Sequence, residues 1–74
     1  MANDPVGALA CAEDMLRVAP DQAGLWQQTA LLNQKLDRFA AALRCYDRFL
    51  ALVPEGEAAR EARQSAESLR GRLN

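Results

Sequence analysis

The chain contains no histidine and no isoleucine, and its 74 residues include only two cysteines, two phenylalanines, one tyrosine and one tryptophan. Without histidine, Cys–His and Ser–His–Asp catalysis and most zinc sites are excluded. The β-branched residues are Val6, Val18, Thr29 and Val53 alone, which leaves strands without their usual material, whereas Ala and Leu dominate the apolar residues and favour helix. Gly7, Gly24, Gly56 and Gly71 stand apart and form no phosphate-cradling loop. Apolar runs such as Phe39 to Leu43 and Phe49 to Val53 stop at five residues, against the roughly 20 needed to cross a bilayer. Nine basic and ten acidic residues are spread along the chain for a formal net charge of −1, so no broad positive field is present to attract nucleic acid or anionic lipid. Met1-Ala2-Asn3-Asp4-Pro5 lacks the charged and apolar regions of a signal peptide. Two cysteines make no disulfide framework, which agrees with a reducing compartment, and a cytoplasmic setting is expected.

What the chain does contain is an internal repeat. Ala8-Leu9-Ala10-Cys11 and Ala42-Leu43-Arg44-Cys45 lie 34 residues apart, and the same offset superposes Leu16 on Leu50 and Pro20 on Pro54. Five identities fall in thirteen aligned positions without a slip in register, and the last is a helix-terminating proline. A duplicated two-helix unit is implied.

Periodicity and punctuation predict four helices in a single all-α domain over residues 1–74. The first spans 4–19, with Asp4 as N-cap, Pro5 at the first helical position, and a narrow buried stripe of Ala8, Ala12, Met15, Leu16 and Ala19. The second and third make one full unit over 22–54. After Asp21, a second N-cap candidate, Leu25, Trp26, Thr29, Ala30, Leu32, Asn33 and Leu36 share a broad face. Asp37-Arg38 allows only a tight connection. Phe39, Ala42, Leu43, Tyr46, Phe49, Leu50 and Val53 then give the third helix the largest side chains, and with them the centre of the core. The fourth helix, 57–73, has a thin seam of Ala59, Ala62, Ala66, Leu69 and Leu73. Arg60, Glu61, Arg63, Glu67 and Arg70 lie opposite, the wet outer face that a terminal capping helix requires.

From Trp26 to Pro54 the sequence resembles a tetratricopeptide repeat. Trp26, the small Ala30, Phe39, Ala42, Tyr46 and the closing Pro54 carry the likeness, and the 34-residue period is the family's own. Thr29 replaces the usual Leu, Asn33 a large aromatic, Asp37 a common Gly and Phe49 the usual Ala. Residues 4–19 resemble the second helix of a preceding repeat. The resemblance implies an antiparallel helix-hairpin array, a fragment of a right-handed superhelix, in which Ala8, Ala30 and Ala42 mark close helix crossings. Residues 8–73 also resemble, less specifically, the C-terminal tetratricopeptide segment of some bacterial transglutaminase-like proteins. That likeness implies a non-catalytic regulatory segment of a larger protein.

No catalytic residue, cofactor or metal site is expected. Asp14, Asp37, Asp47, Glu55, Glu57, Glu61 and Glu67 fall mostly on polar helix faces or in loops. Cys11 and Cys45, equivalent across the repeat, are expected to act as small hydrophobes, and Trp26 and Tyr46 as core. Gln27, Leu31, Gln34 and Lys35 follow one another at helical spacing away from the core stripe of the second helix. The resemblance makes this helix the lining of a concave groove, so these four are the candidate contacts for another protein or a peptide. Repeats that clamp a terminal carboxylate use Lys and Asn where Gln27 and Leu31 stand, which disfavours that partner class. The alternative is a structural role, in which Ala8, Ala12, Met15 and Leu16 on the first helix pair with another subunit.

Overall fold

Pro20, Asp37-Arg38 and Pro54 to Gly56 interrupt the helical pattern, and the chain is helical between these stops. The computed structural model describes residues 4–73, and the opening Met1 to Asn3, read above for a leader, lie outside the described residues. The elements are α1 (Pro5–Val18), α2 (Ala23–Lys35), α3 (Phe39–Leu52) and α4 (Glu57–Leu73). Short connections fold each helix back on its predecessor, so that α1 packs on α2, α2 on α3 and α3 on α4. This is the all-α hairpin array expected.

Each helix end has a physical cause. The Asp4 carboxylate accepts a hydrogen bond from the Gly7 N–H at 3.2 Å and caps α1. Asp21, expected to do the same for α2, does not. The helix starts at Ala23, so the capping position falls one residue later on Gln22, whose side chain makes no capping bond. The corner is held instead by Trp26, whose Nε1–H donates to the Pro20 carbonyl at 2.7 Å. At the equivalent proline one repeat on, the Arg63 guanidinium donates to the Pro54 carbonyl.

Helix α2 ends in a Schellman motif. The Arg38 N–H donates to the Asn33 carbonyl at 2.8 Å and the Asp37 N–H to the Gln34 carbonyl at 3.1 Å. This closure requires the left-handed backbone found at Asp37, φ 59°. The residue that stands where Gly is common therefore carries the conformation for which Gly is favoured.

The core runs between α2, α3 and α4. Ala30 and Ala42 are fully enclosed, and Cys45, Tyr46, Phe49, Ala62, Ala66 and Leu69 surround them. Trp26, Phe39, Leu43, Leu50 and Val53 pack around that cluster, so α3 is central as expected. Helix α1 departs from expectation. Leu9, Ala12 and Leu16 are its buried residues, whereas Ala8 and Met15 are exposed and Ala19 is half-buried. The reason is that, among the described residues, α1 packs chiefly on α2, and the stripe that meets α2 is rotated away from Ala8 and Met15. Ala8 consequently marks no helix crossing. On α4, Ala59, Ala62, Ala66 and Leu69 are buried as expected, but Leu73 at the last turn is exposed. Arg70 reaches back to Asp47 on α3 at 3.5 Å, a surface pair that contributes little.

Two substitutions test this account by thermal unfolding. Ala42→Leu adds three carbons at a site with no free space and is expected to destabilise by about 1–3 kcal/mol. Asp37→Gly relieves the left-handed backbone and is expected to raise stability by about 0.5–1 kcal/mol, after its larger unfolded-state entropy is subtracted. A higher melting temperature for Ala42→Leu, or a lower one for Asp37→Gly, would contradict the packing or the turn respectively.

Candidate functional site

The α2–α3 contact contains polar groups where an all-apolar seam is the simpler solution. Thr29 and Asn33, two of the departures from the repeat pattern, are both buried. The Thr29 hydroxyl donates to the Leu25 carbonyl at 2.7 Å, and Asn33 Nδ2 donates to the Thr29 carbonyl at 3.0 Å. Asn33 Nδ2 also lies 3.9 Å from Cys45 Sγ, at the limit of a weak sulfur contact. The Tyr46 hydroxyl donates to Gln34 Oε1 at 3.0 Å. These groups have partners, as burial demands, and their roles are structural.

The candidate strip on α2 is not uniform. Leu31 is 49% exposed and Lys35 is exposed, and both border an open groove of about 500 Å³ shared with Ala8, Cys11 and Met15 of α1. Gln27 is half-buried. Gln34 is half-buried too and tethered by Tyr46, which fixes its amide on the side facing α3. The structure thus brings Leu31 and Lys35 together beside α1 and turns Gln34 toward the other neighbour.

Sequence reasoning missed the part α1 plays in this surface. Val18 is 87% exposed and Met15 54%, and both line a second open groove with Asp14, Gln22 and Leu25. Of the residues assigned to a subunit contact, Ala8 and Met15 are indeed open, but Ala12 and Leu16 are not, because they are covered by α2. The repeat offset held the signal. It maps Ala8, Cys11 and Met15 onto Ala42, Cys45 and Phe49, which are buried in the core of α2, α3 and α4.

On the opposite side, α1 and α3 flank a groove of about 450 Å³ lined by Glu13, Trp26, Asn33, Arg44 and Arg48. Arg48 lies over the Trp26 ring at 5.9 Å. No group of three or more metal-ligating side chains occurs among the described residues. The two cysteines differ in environment. Cys11 is exposed, whereas Cys45 is buried and its thiol is raised above the ordinary value. Burial is the main cause, Glu13 adds to it, and Asn33 and Arg44 oppose it.

A linear stack in which each helix covers the one before defines the class of this protein, an α-helical repeat array. A family model described as tetratricopeptide repeat matches residues 2–67. The chain belongs to that family. Comparisons with curated proteins and with solved structures gave no match.

Thiol chemistry separates the two repeats. At mild alkaline pH a maleimide or disulfide reagent is expected to label one thiol per folded chain at once, and peptide mapping should place it on Cys11. Cys45 should react much more slowly in the folded chain, since burial suppresses its thiolate and leaves only 7% of the residue exposed. Equal labelling rates would show that the α2–α3 seam is open.

Proposed function

We propose that this chain is a non-catalytic interaction module that binds a peptide or a neighbouring domain through α2, with Gln27, Leu31, Gln34 and Lys35 as its contacts. Tetratricopeptide repeats as a family mediate protein–protein interaction, and membership in it is the general support. The observation that carries the reading is Leu31, a large apolar side chain about half exposed and accompanied by an exposed cation at Lys35. An apolar anchor rimmed by polar groups is the usual composition of a small recognition site. No described helix is long and apolar enough to cross a membrane, so the strip is not accounted for by a bilayer span.

The area is modest. A standard interface takes roughly 800 Å² from each partner, about one sixth of the 5033 Å² of this chain. Four residues on one helix do not supply that much, so binding through the strip alone is weak and gains from the adjoining surface of Ala8, Cys11 and Met15 on α1.

Affinity capture from a lysate of the source organism tests the reading. A protein retained by the wild type should be lost from a Leu31→Glu, Lys35→Glu variant that circular dichroism shows to be folded. A partner retained equally by both would remove the strip from consideration.

A further inference from the structure

Helix α1 leaves an apolar face open. Ala8, Cys11, Met15 and Val18 follow one another along it, and Leu25 and Leu31 of α2 form its border. The internal repeat says what such a face is shaped to meet. Residues 34 positions on from Ala8, Cys11 and Met15 are Ala42, Cys45 and Phe49, and in α3 all three are buried beneath a helix. The open face of α1 has the same small-to-large relief and is suited to a helix.

The charges on this face are few and opposite in sign. Lys35 is the charged residue of the groove that contains Ala8, and Asp14 that of the groove that contains Val18. The Asp14 carboxylate stands in an exposed 3.5 Å pair with Arg17 of the same helix, a surface contact weak enough to exchange for another cation. A surface with a cation toward one end and an anion toward the other complements itself when rotated by half a turn. Cys11 lies near the middle of α1, which spans Pro5–Val18. Antiparallel pairing about Cys11 sets the level of Ala8 opposite Asp14 of a second α1, and so brings the Lys35 end of each copy to the Asp14 end of the other.

We propose that this face is a self-association surface, and that its occupant is a second copy of the chain docked about a two-fold axis near Cys11, with Lys35 of each protomer against Asp14 of the other. Head-to-tail stacking is disfavoured by the composition of α4. The positions 34 residues on from Trp26, Thr29, Ala30 and Asn33, which α2 turns toward α3, are Arg60, Arg63, Gln64 and Glu67, and all four are exposed. Helix α4 therefore offers the open face of α1 no apolar complement, and association closes at two copies instead of extending into a filament.

Leu31 and Lys35 border both this surface and the partner-binding strip, so the test is read on the isolated chain without any partner. In sedimentation velocity over rising concentration, the wild type should move from one chain to two. Met15→Glu and, as a second variant, Val18→Glu should weaken the dimer by about tenfold or more. Asp14→Lys and Lys35→Glu should each weaken it, and the double charge reversal should restore it. A short bis-maleimide should join Cys11 to Cys11 across the axis, with no product from Cys11→Ser. A wild type that remains a single chain at every concentration would overturn the proposal. So would a dimer that tolerates Met15→Glu and Val18→Glu, or one that the double reversal does not restore. Protection of Met15 by another protein while the chain itself stays monomeric would assign the face to that protein instead.

Discussion

Close approach of α2 and α3 is the constraint on which the rest depends. Ala30 and Ala42 are both wholly enclosed, and small side chains at a helix crossing bring the backbones together. Once that spacing is set, the larger side chains have a fixed volume to fill. Tyr46 and Phe49 occupy it from α3 and Trp26 closes its rim from α2, while the far side of α3 is left for the alanine seam of α4. A helix pair of this kind cannot cover both of its apolar sides, and the neighbouring helix completes the burial.

The polar residues in that contact add directionality. Thr29 and Asn33 return their hydrogen bonds to carbonyls of their own helix, and Tyr46 spends its hydroxyl on Gln34 across the seam. The bonds of Thr29 and Asn33 travel with α2, but a slide by one position would break the Tyr46–Gln34 bond and leave the buried Tyr46 hydroxyl without its partner, at about 1–3 kcal/mol. Register between α2 and α3 is thus specified by hydrogen bonding as well as by shape. The left-handed turn at Asp37 fixes how tightly the two helices are joined.

Much of the fold was legible because its signals are local. Proline, the Asp37-Arg38 turn and the 34-residue offset mark the helix boundaries, and the fourth helix runs over Glu57–Leu73 as its seam implies. The errors come from burial that depends on neighbours. Periodicity identifies an apolar stripe without saying which of its edges is covered, so Leu9 was passed over and Ala8 and Met15 were placed inside. Leu73 has the right spacing but sits in the last turn of α4, where about half of it stays exposed. Capping at Asp21 failed by a single residue, a distance that composition does not resolve. The candidate strip was harder still, because the tether between Gln34 and Tyr46 joins residues on different helices and has no signature in sequence spacing.

Helix α4 is attached mainly through methyl groups. Its buried residues are Ala59, Ala62, Ala66 and Leu69, with only the last contributing a large apolar area. Each alanine methyl supplies on the order of 0.8 kcal/mol, whereas a buried Phe or Leu supplies about 1.5–3. A graded free energy of opening along the chain is the expected consequence, with α4 detaching before the α2–α3 pair comes apart. Amide exchange should therefore be faster in α4 than in α3, which makes the last helix a latch over α3 that opens reversibly while the pair beneath it stays folded.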